Sequence, residues 1–218
     1  MGFVITYADD NTLLVNGAVD IIVNGVPYAP IEETPDIEVS AIARLDKLFK
    51  IVKDFESFFA EAYLCPAKVW TIGWGTIKYK NGVKVKKGDV ITAMEAQNEL
   101  EYELQKCYDY INKNIKTKLN DNQLSALISF IYNCGEGALS EKWSIGRAVR
   151  DGNLAAVPNL LMAWINAKGT PLAGLWRRRA SEALLFQGYD PFIIPYERIP
   201  DGWKNMKYFS ESYIKLAS

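Results

Sequence analysis

The stretch DFESFFAEAYLCPAKVWTIGWGT, residues 54–76, decides how the rest of the chain is read. Leading into it, Leu45, Leu48, Phe49, Val52, Phe55 and Phe59 recur at three- and four-residue spacing. That spacing lines one face of a helix predicted to run to about Ala62. Glu56 falls near the end of this helix among Phe55, Phe58 and Phe59. Such surroundings penalise an ionised carboxylate, as a general acid working near neutral pH requires. From Val69 the pattern changes. VWTIGWGTIKYKNGVKVKKGD alternates, is rich in β-branched and aromatic residues and carries Asn81-Gly82, so a small antiparallel sheet is expected there.

Working outward, Thr92 and Glu95 form a capping box that opens a long helix to about Ile115. Asn120 and Gln123 have the same arrangement before a helix that stops at Gly135. A short helix is predicted between Ser144 and Gly152, another from Leu154 to Ala167, and a last long one from Leu172 to Phe186, closed by Gly188. The fold class is therefore α+β, mostly helical with a small antiparallel sheet.

At the N-terminus LLVNGAVD is followed by IIVNGVPY, and each copy carries Asn-Gly after an apolar run. Asn-Gly favours tight hairpin turns because both central residues need positive φ. Three short strands joined by hairpins at Asn16-Gly17 and Asn24-Gly25 are expected, followed by a Pro-rich acidic linker. The division is residues 1–38 as a β-hairpin appendage and linker, 39–188 as the main domain, and 189–218 as an extended, aromatic C-terminal wrap broken by Pro191, Pro195 and Pro200.

Composition narrows the chemistry. The 218 residues include no histidine, which excludes Ser-His-Asp and Cys-His catalysis and HExxH metal sites. Cys65, Cys107 and Cys134 are odd in number and lack CxxC spacing, against a structural zinc site or a disulfide framework. The last two sit at apolar helical positions and read as buried thiols. No cofactor and no metal are expected. Net charge is −1, yet residues 1–40 hold seven acids and no base, leaving residues 41–218 at 25 basic against 19 acidic groups. That mild excess suits an anionic partner but is too scattered for nucleic acid. No apolar run approaches the 18 residues of a membrane span, and the first residues lack the pattern of a signal peptide.

Eight residues separate Glu56 from Cys65 and five separate Cys65 from Thr71, which opens a strand bracketed by Gly73 and Gly75. A glutamate facing a strand with small polar groups suits glycosidic cleavage. The spacing resembles the phage-type lysozyme family, the muramidase endolysins of glycoside hydrolase family 24, with its Glu, eight residues, Asp or Cys, five residues, Thr. The likeness continues through WTIGWGT (70–76), ITAMEAQNEL (91–100), LNDNQLSALISFIYNCGEGAL (119–139) and GLWRRRASEALLF (174–186), and covers about residues 45–187.

The resemblance implies a lysozyme-like fold and hydrolysis of the bond between N-acetylmuramic acid and N-acetylglucosamine in peptidoglycan. In it Glu56 protonates the leaving oxygen, Cys65 and Thr71 hold and activate water on the opposite face, and the anomer is inverted. Tyr132 and Asn133 line the cleft with Trp74. One of Arg177, Arg178 and Arg179, with Arg178 favoured, pairs with Glu56, the other two reading as a solvated face. The pair favours the charged carboxylate and burial disfavours it, and the residues leave open which prevails.

Two positions depart from the family pattern. Thr76 stands where a histidine is usual, and Cys65 stands where many members have Asp. A thiol of ordinary acidity is mostly protonated at neutral pH, so activity is expected to rise between about pH 7 and 8.5 with thiolate formation. The expected partners are peptidoglycan glycan strands and a separate holin-like protein that releases a monomeric enzyme from the bacterial cytoplasm to the wall. No nucleic acid or stable membrane insertion is expected. Two other classes stay open: a virion or tail protein that binds the wall through an attenuated lysozyme fold, and a lytic transglycosylase. The appendage reads as a wall-binding module, an assembly tag or an autoinhibitory cover.

Overall fold

The computed structural model describes residues 40–65 and 67–192, together with four two-residue strands nearer the N-terminus. The chain divides into two compact units, residues 1–39 and 40–218.

In the first unit β1 (Thr6–Tyr7) pairs antiparallel with β2 (Leu13–Leu14), and β3 (Ile22–Val23) with β4 (Val26–Pro27). The register Val23↔Val26 brackets Asn24-Gly25, where a hairpin was expected. The hairpin expected at Asn16-Gly17 lies outside the described residues, and β2 pairs with β1. The linker and the proposed C-terminal wrap beyond Phe192 lie outside the described residues.

The second unit is built around a central helix. In order along the chain it contains α1 (Asp46–Phe55), β5 (Phe59–Leu64), β6 (Trp70–Gly73), α2 (Ala93–Asn114), α3 (Asp121–Cys134), α4 (Ser144–Arg150) and α5 (Val157–Leu161). A two-residue hairpin, β7 (Asn166–Ala167) with β8 (Thr170–Pro171), then leads into α6 (Ala173–Phe186). Every residue of α3 from Leu124 to Ile131 is buried, as for a helix enclosed by others. It packs on α6, α2 and α1, and Leu48, Ile51 and Val52 give α1 its inward face. Both predicted capping boxes are present, Thr92 with Glu95 on α2 and Asn120 with Gln123 on α3, each satisfying two donors at a helix start. No described helix is long and apolar enough to cross a membrane.

Three expectations are corrected. The first helix ends at Phe55 rather than Ala62, because residues 59–64 pair with 70–73 in a hairpin with register Tyr63↔Thr71. The helical run from Leu154 to Ala167 is broken into a 3-10 turn (Leu154–Ala156), α5 and β7. The break follows from Lys168-Gly169, both at positive φ (50° and 79°), the geometry of a tight two-residue hairpin turn. Third, the arginine run of α6 is no solvated face: Arg179 is fully buried and the Arg177 side chain only 12% exposed.

Candidate active site

Glu56 stands where α1 gives way to the hairpin. Its N–H still donates to Val52 O at 2.9 Å, but its ψ of 111° turns the chain into extended backbone. The carboxyl therefore projects from a helix end toward the turn that follows β6. Gly75 closes that turn at φ +100°, and a Cβ there would lie 3.3 Å from Tyr132 Oη and 3.6 Å from Glu56 Oε2. Glycine is needed for the backbone angle, and it leaves the carboxyl uncovered. Gly73, at φ +61°, likewise lets β6 settle on Ala96 of α2, where a Cβ would come within 3.0 Å.

Glu56 opens into a cleft of about 450 Å³ lined by Gly75, Thr76, Ile77, Lys78, Glu103, Lys106, Cys107, Ile131, Tyr132, Asn133, Gly135 and Glu136. The volume lies in the range of roughly 300–1,000 Å³ usual for small-molecule sites. Its lining mixes apolar surface with the hydrogen-bonding side chains of Thr76, Lys78, Glu103, Lys106, Asn133 and Glu136, a combination suited to a sugar ring with its hydroxyls. Tyr132, whose phenol burial holds above its ordinary acidity range, donates from Oη to Trp74 O at 2.7 Å and so ties α3 to the Gly-Trp-Gly turn. The Trp74 ring packs on Phe58 (4.9 Å) and under Lys53 Nζ (4.3 Å). It does not line the cleft, and the position's contribution there is its carbonyl. Phe58 and Phe59 are each 40% exposed and rest on Trp74 and Tyr63, so the phenylalanine surround expected of Glu56 is corrected. Phe55 stays half-buried under the Arg178 guanidinium, and the Glu56 carboxyl itself meets polar groups around Gly75 and α6.

The chief of these is Arg178, whose Nη1 donates to Glu56 Oε1 at 2.5 Å. Arg178 Nε also donates to Glu182 Oε1 (3.2 Å) and Nη2 to Ser129 O (3.3 Å). Burial opposes its charge, but the carboxylates of Glu182 and Glu56 outweigh burial and hold the guanidinium above its ordinary value. One arginine is thus shared between two carboxylates. Glu182 also accepts from Ser129 Oγ (2.8 Å) and Arg179 Nη2 (2.9 Å). Sequence reasoning passed over Glu182 and Ser129 and read Arg179 as part of a solvated face. The signal was available: Glu182 is three and four residues beyond two arginines on one helix, and Ser129 interrupts an apolar one.

Cys65 and Thr71 are near one another but are not among the residues lining the cleft. Thr71 is buried, and its Oγ1 donates to Val69 O at 3.1 Å. The Cys65 thiol is held below its ordinary value, chiefly by hydrogen bonding from the Val69 backbone, with the Ala67 backbone and the Thr71 hydroxyl adding to it. Tyr63 lies within the electrostatic reach of both Cys65 and Glu56. By contrast burial pushes the Cys107 thiol up to about 12 and raises that of Cys134, and all three cysteines are free.

The phage lysozyme family profile matches residues 53–182, more than half of the chain and all of the cleft. The chain belongs to the phage lysozyme family. An endolysin of Acyrthosiphon pisum secondary endosymbiont phage 1 is 30% identical over 146 residues, which is 65% of this chain and 96% of that one. An endolysin of Bacillus phage PZA is 34% identical over 143 residues, and there the match spans about half (54%) of the relative. Among solved structures, an endolysin from Escherichia coli O157:H7 phage FAHEc1 superposes with a TM-score of 0.59 at 32% identity, covering 65% of this chain and 90% of that one. The muramidase domain of SpmX from Asticaccaulis excentricus gives 0.57 at 28%, covering 69% and 97%. This phage lysozyme has the lysozyme-like fold and is a glycoside hydrolase of the muramidase class.

Proposed function

We propose that this endolysin hydrolyses the β-1,4 bond between N-acetylmuramic acid and N-acetylglucosamine in bacterial peptidoglycan, with Glu56 as general acid and inversion at the anomeric carbon. The observation that carries the reading is a half-buried carboxyl, its carboxylate oxygen held by Arg178, opening into a cleft between hairpin and helices that is lined by both apolar and hydrogen-bonding groups. Glu56 gives its proton to the bridging oxygen as the bond lengthens and the sugar gains oxocarbenium character. A water on the far face, held by Cys65 and Thr71, attacks the anomeric carbon and passes its proton to the Cys65 thiolate. Arg178, bonded to both Glu56 and Glu182, fixes the donor carboxyl at the edge of the cleft. Tyr132 and Asn133 hold the glycan against the α3 wall. The enzyme works as a monomer at the wall, reached from the bacterial cytoplasm through a separate membrane-permeabilising partner.

Digestion of purified peptidoglycan tests the reaction. Mass spectrometry should find reducing N-acetylmuramic acid ends carrying one added water. A 1,6-anhydro product would instead make the protein a lytic transglycosylase, and no cleavage at all would leave a wall binder.

The water-side role of Cys65 has its own test. Hydrogen bonding favours the thiolate, so the acid-side rise in rate should be centred below the range of a free thiol. Cys65→Asp should carry that rise several pH units lower, toward the carboxylate range. A pH–rate profile that Cys65→Asp leaves in place would remove the thiolate from the mechanism.

A further inference from the structure

Two of the cleft's polar groups, Glu56 just beyond α1 and Asn133 on α3, are each held from behind by a different arginine of α6. Arg178 reaches Glu56. Arg179 Nη2 donates to Asn133 Oδ1 at 3.2 Å, while its Nη1 stands 2.9 Å from Cys134 Sγ. Both arginines converge on one acceptor, Glu182, which has no exposed surface. Glu182 Oε1 takes Arg178 Nε, Arg179 Nη2 and Ser129 Oγ; Oε2 lies 2.8 Å from Arg179 Nε, close but poorly aligned for a hydrogen bond. A buried guanidinium without a counter-charge is costly, so two side by side need this carboxylate to stay where they are.

We infer that Glu182, which never touches the cleft, is a positioning residue for both walls of it, holding Glu56 through Arg178 and Asn133 through Arg179. The inference rests on the reading of Glu56 as proton donor and deepens it.

Two consequences follow from charge and geometry. Arginine only donates, so the atom it holds on residue 133 is the carbonyl oxygen, and the Asn133 amide NH₂ is left to face an acceptor oxygen on the substrate. Second, the negative charge of Glu182 takes up part of Arg178. The titratable or charged groups facing Glu56 are Arg178 from α6, Tyr132 from α3 and Tyr63 from β5, with Lys78, Glu103, Lys106 and Glu136 farther round the cleft. Burial holds both phenols in their neutral form over the assay range. Arg178 is therefore the charge in direct contact with Glu56, and Glu182 shares it.

The test is a pH–rate profile of Glu182→Gln beside wild type and Glu182→Asp. Loss of the buried negative charge leaves Glu56 facing a fuller positive charge, which favours its ionised form. The alkaline limb should move down by about one pH unit, with kcat near neutrality falling up to about tenfold. Glu182→Asp should restore the limb. A folded Glu182→Gln enzyme with its limb unmoved would overturn the inference while leaving Glu56 as donor, provided Glu56→Gln is inactive; activity in Glu56→Gln would overturn both. Should Glu182→Gln fail to fold, Arg179→Lys decides. It keeps the buried charge but cannot reach Glu182 and Asn133 together, so KM should rise severalfold with the alkaline limb in place. An unchanged KM would count against the shared anchor.

Discussion

Glu56→Gln should lower the rate of peptidoglycan cleavage by a factor of roughly 10² to 10⁴, the usual contribution of a positioned general acid. The amide keeps the size of the carboxyl and leaves an oxygen for Arg178 Nη1, so the fold and the pairing at the helix end survive. What it cannot do is hand over a proton. KM for glycan fragments should change little, because the lining from Lys78 round to Glu136 is untouched. Lysis of permeabilised bacteria, followed by turbidity, separates this from a binding role: wild type clears the suspension and the variant does not. Equal clearing by both would remove Glu56 from the chemistry.

Arg178→Met should be the most destabilising single change at the site. The arginine is only 3% exposed and serves Glu56, Glu182 and the Ser129 carbonyl at once. Methionine fills much of the volume but leaves Glu182, which has no exposed surface, without one of its two cations. Removing one partner of a buried ionic cluster costs about 3–5 kcal/mol. For a chain of this length that lowers the melting temperature by roughly ten degrees or more. Arg178→Lys should recover part of the loss, since it restores the charge but not the fork that reaches three acceptors. Thermal unfolding of the three proteins checks this, and a melting temperature for Arg178→Met within a degree or two of wild type would show that the cluster contributes no stability.

Much of the fold was legible because the helices announce their own ends. Thr92 with Glu95 and Asn120 with Gln123 are local devices whose chemistry is complete within four residues. The end of α1 was not legible for the opposite reason. Phe58 and Phe59 continue the helical spacing, and only the pairing of Tyr63 with Thr71, eight residues away, draws that segment into a strand. The hairpin at Lys168-Gly169 was hidden in the same way by an apolar run that looks helical.

At the site, Arg178 and Glu56 are 122 residues apart, yet their pairing was reached through the family motif. The fate of Arg179 was not, because a run of three arginines is most often solvated and only the Glu182 carboxylate in the core makes burial tolerable. The cleft's α2 wall, Glu103 and Lys106, was also unread. Nothing in a helix surface pattern distinguishes a charge pair that faces solvent from one that faces a groove.

The most direct measurement is a crystal structure of the Glu56→Gln protein with a peptidoglycan tetrasaccharide. The account predicts the glycan in the cleft beside Tyr132 and Asn133, with the bridging oxygen within roughly 2.6–3.2 Å of the residue 56 side chain. A glycan seated elsewhere, or a bridging oxygen beyond hydrogen-bond reach of residue 56 in an occupied cleft, would contradict it.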